Sequence, residues 1–118
     1  MVLEILELPQ FLSDKKKILK KFPNIADEIE EALNELKEEP DRGERYPGFG
    51  DIDIRKIRVG LKKYNVGKRG GLRLIYLTKD ERLIPLILYH KGGWRSEKET
   101  KKRILARLRD IAKSLTLK

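Results

Sequence analysis

Basic side chains that alternate with apolar ones are the feature of this sequence with the clearest chemical meaning. Residues 55–59 read RKIRV. A β-strand points successive side chains to opposite faces. A strand here would therefore put Lys56 and Arg58 on one face and Ile57 and Val59 on the other. The apolar face would pack, and the basic face could grip and strain a phosphodiester.

The surrounding segment, residues 48–95, carries many more Lys and Arg on predicted strands and Gly-rich turns, with no obvious metal or nucleophile site. Lys plus Arg is 28 against 19 Asp plus Glu, a net charge of +9. Residues 1–50 carry 8 basic and 12 acidic groups (net −4), whereas residues 51–118 carry 20 and 7 (net +13). Such asymmetry indicates contact with nucleic acid or an anionic membrane. The sequence has no long apolar run, signal peptide or lipidation motif, so we expect a cytoplasmic protein that does not bind membranes.

Length and composition narrow the class further. A chain of 118 residues has the size of one compact domain, and no segment reads as a long linker, so we expect a single domain over residues 1–118. The absence of cysteine excludes disulfides, Cys-based zinc sites and thiol catalysis. A charged fraction of 40% with a single Met is typical of a thermophilic source, although an ordinary charged surface explains it as well.

Hydrophobic periodicity predicts the first three elements. Residues 2–8 read as a strand that ends at Pro9, and a lysine-rich helix follows until Pro23 stops it. The lysines are better explained as a solvated face than as a binding site. A second helix, with Asn24 as its cap, extends to Pro40 and carries an outward acidic stripe that keeps nucleic acid away from that side.

Three more strands are predicted over residues 54–61, 71–78 and 82–91, after a loop over residues 41–53. The short turns between them make an antiparallel meander. The last strand has a nearly continuous apolar run, which is expected of a strand buried on both faces. Pro85 forces a bulge or an unpaired position within it.

A final helix begins with the capping box Ser96-Glu97-Lys98-Glu99. Its apolar stripe consists of Ile104, Leu108, Ile111 and Leu115. The predicted fold class is α+β: a small twisted, antiparallel-rich sheet in the order strand, two helices, three-strand meander, C-terminal helix, with the helices against one side.

Four short motifs in this order resemble the RelE/HigB branch of bacterial and archaeal type II toxins, within the RelE/ParE superfamily. They are Tyr46-Pro47-Gly48-Phe49-Gly50, Arg55-Lys56-Ile57-Arg58, Gly67-Lys68-Arg69-Gly70-Gly71-Leu72-Arg73-Leu74-Ile75-Tyr76 and Leu88-Tyr89-His90-Lys91. The resemblance covers about residues 46–95, and the flanking helices match by order alone. It implies a RelE-like fold and a ribosome-dependent endoribonuclease that cuts messenger RNA and is held inactive by a cognate antitoxin.

In such toxins the attacking group is the 2′-hydroxyl of the RNA, so the resemblance implies no metal and no cofactor. Cleavage needs a proton acceptor, groups that neutralise charge on the phosphate, and a donor for the leaving 5′-oxygen. By resemblance, Lys56 and Arg58 flank the scissile phosphate and Arg73 holds it. A lysine that is buried near other cations gives up its proton more readily, which makes Lys56 the candidate base. Arg58 and Arg73 form the electrostatic clamp, since a guanidinium fork matches phosphate oxygens.

The proton donor is open between three residues. Lys91 corresponds loosely to the family's leaving-group acid, and Arg95 could replace it. His90 has the right chemistry near neutral pH, but it could point away from the face of Lys91.

The chain also departs from the family pattern. It reads Gly92-Gly93-Trp94-Arg95 where relatives have more charge, and it has no clear counterpart of the C-terminal tyrosine that some of these toxins stack on a base. Tyr89 or Trp94 could supply stacking worth about 1–3 kcal/mol per base, and Trp94 could equally be a core or partner contact. The glycines at 67–71 are explained by a hairpin turn or by close approach of the backbone to phosphates. The expected RNA contacts are Arg55, Lys68, Arg69, Tyr89, His90, Trp94 and Arg95.

Two other functions stay open. The ParE branch shares the fold and inhibits DNA gyrase without nuclease activity, and an inactive member could simply bind RNA. The basic set Lys56, Arg58 and Arg73 favours the ribonuclease, because a gyrase inhibitor needs no phosphate clamp. The sequence leaves the oligomeric state and the codon preference undetermined.

Overall fold

The computed structural model describes residues 3–65, 67, 71–90 and 96–116. A five-stranded mixed sheet in the order β1-β5-β4-β3-β2 is its centre. The elements are β1 (Glu4–Ile5), α1 (Pro9–Lys21), α2 (Ala26–Glu38), β2 (Glu44–Arg45), β3 (Asp53–Val59), β4 (Leu72–Lys79), β5 (Arg82–His90) and α3 (Glu97–Thr116). Strands β3, β4 and β5 form the predicted antiparallel meander, and β1 pairs in parallel with β5. The predicted α+β fold class is confirmed.

The β4–β5 hairpin follows the prediction closely. Its two turn residues, Asp80 and Glu81, both have positive φ, 52° and 62°, which is the geometry of a type I′ turn. The pairing passes from Ile75↔Ile87 to Tyr76↔Pro85 and leaves one extra residue on β5. The predicted bulge therefore lies beside Pro85, because proline cannot donate to the ladder.

The two short strands differ from the prediction. The strand expected over residues 2–8 is shorter, since β1 spans only Glu4–Ile5. Pro9 is the first residue of α1, a position where the N–H group that proline lacks would have no partner within the helix. Residues 1 and 2 lie outside the described part. Strand β2 lies inside the predicted loop 41–53 and was missed, since two residues carry no periodic signal.

Helix starts are partly as predicted. The Ser96 hydroxyl accepts a hydrogen bond from the Glu99 N–H at 3.2 Å, which confirms the cap of α3. The Asn24 cap is wrong: Ile25 is the N-cap residue of α2 and makes no side-chain capping bond. The Asn24 carbonyl instead accepts a bond of 2.6 Å from Lys63 Nζ, so Asn24 anchors the segment after β3.

The expectation that the helices cover one side of the sheet is wrong. Buried residues of α1 and α2 pack with Leu74 and Tyr76 of β4, whereas Ile104 and Ile111 of α3 pack with Ile75. Successive residues of β4 point to opposite faces, so α3 covers the face opposite α1 and α2. The apolar run of β5 is consistent with this arrangement, because both of its faces are buried.

Strand β1 pairs with only the first two residues of β5. Further along this edge, side chains make the hydrogen bonds that a neighbouring strand would make. The N–H of Leu88 donates to Asp14 Oδ2 at 3.2 Å, and the carbonyl of Leu86 accepts a bond of 2.7 Å from Arg107 Nη1. Asp14 of α1 and Arg107 of α3 also form a bidentate ion pair at 2.9 and 3.0 Å. The two helices are thus joined around the edge of the sheet. Within the part of the chain that the structure describes, no helix is both long and apolar enough to cross a membrane.

Candidate nucleic-acid interface

Strands β3 and β4 bring three predicted site residues to one face of the sheet. Arg58 lies directly across from Arg73 in the antiparallel register, and Lys56 lies two residues before Arg58 on the same face. Ile57 and Val59 pack in the core on the α1/α2 side, so the predicted division of β3 into a basic and an apolar face is confirmed. The three cations therefore share the α3 face of the sheet.

Arg73 is held in an environment that disfavours its own charge. The residue is buried, with only 7% of its surface exposed. One nitrogen of its guanidinium group donates a hydrogen bond to the Leu72 carbonyl at 3.3 Å. Burial lowers the pKa of Arg73, and the adjacent charge of Arg58 lowers it further. Like charges that face each other across strands are destabilising. An anion bound between the two guanidinium groups would relieve this repulsion.

Tyr89 extends the same face on the other side of Arg73. It pairs with Arg73 in the β4–β5 register and is half-buried. Burial raises the pKa of the Tyr89 hydroxyl, and the charge of Arg73 opposes that rise. One of the two aromatic residues that were predicted to stack on a base, Tyr89, thus lies next to the arginine that was predicted to hold the phosphate.

Lys56 is in contact with two groups that sequence reasoning missed as site residues. Its ammonium group lies 3.9 Å from Glu97 Oε1 and 5.6 Å from the centre of the Tyr46 ring. The Tyr46 hydroxyl donates a hydrogen bond to Glu97 Oε2. Burial raises the pKa of Tyr46, and the bond to Glu97 raises it further. The first residue of α3 is therefore tied to the basic face of β3.

The signal for this contact in the sequence was weak. Glu97 was assigned to a capping box and Tyr46 to a motif, and both assignments are local. The only indication was that Glu97 follows the basic segment directly, so that its carboxylate could form an ion pair with a basic residue of that segment. A contact between residues 41 positions apart in the chain leaves no periodic pattern.

Two other predicted contacts lie elsewhere. His90 packs against Phe22, with ring centres 5.2 Å apart, and its Nδ1 lies 3.5 Å from Lys21 Nζ. It faces α1, on the opposite side of the sheet from Arg73. Arg55 also faces that side, where it bonds to Asp53 at 2.9 Å and to the Gly43 carbonyl at 2.9 Å. The structure does not bring either residue together with the three cations. Five predicted site residues lie outside the described residues: Lys68, Arg69, Lys91, Trp94 and Arg95.

Within the described residues, three α-helices around a five-stranded mixed sheet are consistent with the RelE/ParE-like toxin fold. Residues 7–92 match the family model described as the ParE toxin of the type II toxin-antitoxin system, parDE. The chain belongs to this family of toxins, and membership implies a cognate antitoxin as partner. No curated protein matches the chain. The match supports the superfamily that the motifs indicated, and the RelE/HigB branch stays a prediction.

Proposed function

We propose that this toxin is an mRNA interferase, an endoribonuclease that cuts translated messenger RNA on the ribosome and is neutralised by its cognate antitoxin. Residues 1–118 would form one toxin domain that acts in the cytoplasm, where translation takes place. The observation that carries the proposal is the pairing of Arg58 with Arg73 on one face of the sheet.

The arginine pair fits the charge that develops during cleavage. When the 2′-oxygen attacks, negative charge builds on the phosphate oxygens, and preorganised cations lower the energy of that state. Guanidinium forks suit phosphate because each offers parallel N–H donors. The repulsion between Arg58 and Arg73 is present before the RNA binds. Binding a phosphate between them removes this repulsion, so the site is electrostatically prepared for an anion.

The remaining roles come from the resemblance. Lys56 lies on the same face and is offered as the proton acceptor, and Lys91 is offered as the donor to the 5′-oxygen. Arg95 is the alternative for the donor, because His90 faces α1 on the other side of the sheet. Tyr89 lies where a base next to the scissile phosphate could stack on it.

A second candidate function is inhibition of DNA gyrase without nuclease activity. The specific observation that favours it is the description of the matching family as a ParE toxin. A gyrase inhibitor would act by binding, and the Arg58–Arg73 pair would have no catalytic role in it.

The test is to induce the toxin in cells and to map new 5′ ends of messenger RNA by primer extension, beside Arg73→Ala and Arg58→Ala. We expect cuts within translated codons for the wild type and a loss of about 10²–10³-fold in each variant, the usual cost of removing one such donor. Arg82→Ala is the matched control, because Arg82 is an exposed arginine at the other end of the same sheet. It should cut like the wild type.

Arg58→Ala is included because the Arg73 variant could lose activity by misfolding. Arg58 is exposed whereas Arg73 is buried, so Arg58→Ala should fold normally. Growth arrest without cuts, equally strong in all variants, would overturn the interferase and favour gyrase. Normal growth with the wild type would indicate a member of the family that only binds its partners.

A further inference from the structure

We propose that Glu97 is the group that takes the proton from the attacking 2′-hydroxyl, with Lys56 as its charged partner. This assignment rests on the proposed interferase function and replaces Lys56 as the base. It concerns a residue that neither the motifs nor the family match assigns to the site.

The contacts of Glu97 go beyond those of an acidic residue at the start of a helix. Acidic side chains are common there because they complement the helix dipole. Glu97, however, crosses to the sheet, where Oε2 accepts a bond from the buried Tyr46 hydroxyl and Oε1 lies 3.9 Å from Lys56 Nζ. Tyr46 is only 5% exposed, so its hydroxyl is a fixed anchor. Both oxygens of the carboxylate are thereby oriented on the face that carries Arg58 and Arg73.

The same contacts make Lys56 the less suitable base. The Lys56 ammonium group is already engaged by the Glu97 carboxylate, 3.9 Å away. The Glu97 side chain is 72% exposed, so RNA can reach it, whereas the Lys56 side chain is 23% exposed. A carboxylate side chain is one of the groups that act as general bases in enzymes.

The step balances with these groups. The 2′-hydroxyl gives its proton to Glu97, the 2′-oxygen forms a bond to phosphorus, and the bond from phosphorus to the 5′-oxygen breaks. The 5′-oxygen takes a proton from the donor of the proposed function, and that donor regains a proton through solvent when Glu97 releases the one it took up. The products are a 2′,3′-cyclic phosphate and a 5′-hydroxyl end. Arg58, Arg73 and Lys56 neutralise the charge that passes through the phosphate.

The test is single-turnover cleavage on ribosomes programmed with a short messenger RNA, with Glu97→Gln and Lys56→Arg beside the wild type. With Glu97 as the base, Lys56→Arg should keep most of the rate, because arginine retains the positive charge beside the carboxylate. With Lys56 as the base, Lys56→Arg should lose about 10²–10⁴-fold in rate, because arginine does not give up its proton in proteins.

Glu97→Gln should lower the rate by about 10²–10⁴-fold, the usual contribution of a general base, with ribosome binding unchanged. Glu44→Gln is the matched control, because Glu44 lies directly across from Lys56 on β2 and the variant makes the same change of charge. It should cleave like the wild type.

A Glu97→Gln variant as fast as the wild type would overturn the assignment. So would a Lys56→Arg variant that loses as much rate as Glu97→Gln, since Glu97 would then only position Lys56. An absence of wild-type cleavage is a different result, because it would reject the interferase function itself.

Discussion

The Tyr76 hydroxyl fixes the short segment that leads into β2, next to the strand that carries Lys56. It donates to the Pro40 carbonyl at 2.7 Å and accepts from the Gly43 N–H at 2.9 Å. Gly43 has to be glycine here, because a Cβ atom would lie 2.5 Å from the Tyr76 oxygen. Burial is the main cause that raises the pKa of Tyr76, so the neutral phenol is the form that the fold stabilises.

Tyr76→Phe should lower the free energy of unfolding by about 1–3 kcal/mol at neutral pH, because the buried Gly43 N–H loses its acceptor. A tyrosine whose pKa is raised on folding contributes stability below its unfolded value, about 10, and that contribution is lost as the pH rises through the folded value. The difference between wild type and variant should therefore narrow above about pH 10. Urea unfolding at neutral and alkaline pH measures it.

Tyr64→Phe is the control for this experiment. Tyr64 is exposed, so removal of its hydroxyl should change the free energy of unfolding little at either pH. A difference between wild type and Tyr76→Phe that widens in alkali would contradict the assigned role of the hydroxyl.

Helices α1 and α3 are held together by the Asp14–Arg107 ion pair, although they cover opposite faces of the sheet. Both partners also bond to the backbone of β5. Removal of one partner leaves the other with an unmatched charge and frees a β5 backbone group. The pair is therefore a connection between three elements.

Asp14→Ala should lower the free energy of unfolding by about 1–3 kcal/mol, measured by urea denaturation at neutral pH. The matched control is Glu35→Ala, which breaks the exposed pair between Glu35 and Arg42 and should cost less than about 1 kcal/mol. Equal costs for the two variants would show that the position of Asp14 at the strand edge adds nothing.

The sequence predicted the strands of the meander, the bulge near Pro85 and the shared face of Lys56 and Arg58. All of these follow from alternation or from the chemistry of proline, which are local. Arg73 could be placed beside Arg58 only once the register between β3 and β4 was known. The resemblance supplied that expectation, and the strand pairing brings the two residues together.

The features that were missed depend on contacts distant in sequence. The apolar stripe of α3 fits either face of the sheet, and only its packing on Ile75 places it opposite α1 and α2. The side chains of Asp14 and Arg107 that complete β5 come from helices at the two ends of the chain. Asn24 is a good capping residue by type, but the helix starts later, at Ala26.

Charge differs between the outer surface of α2 and the sheet face that carries the arginine pair. The acidic side chains of α2 are exposed apart from Glu28, which is half-buried and accepts a bond from the Lys63 N–H at 3.3 Å. The arginine pair lies on the sheet face that α1 and α2 do not cover. The exposed surface of α2 therefore repels a polyanion, whereas the arginine pair attracts it.

Binding of a single-stranded RNA should weaken steeply with salt, because each neutralised phosphate releases counterions. Arg58→Ala should make the slope of log K against log salt shallower by about 0.7, the value for one phosphate contact on a single strand. Fluorescence anisotropy of a labelled oligonucleotide measures this slope. Arg82→Ala should leave the slope unchanged, and an equal change in both variants would mean that binding follows total charge rather than the arginine pair.

A strand edge with open N–H and C=O groups can act as a template on which another chain adds its own strand. At Leu86 and Leu88 that template is blocked, because Arg107 and Asp14 already make the bonds that an incoming strand would make. A second copy of the chain cannot add to the sheet at these positions without first breaking an ion pair. The same two charged residues thus disfavour polymerisation through this side of the sheet.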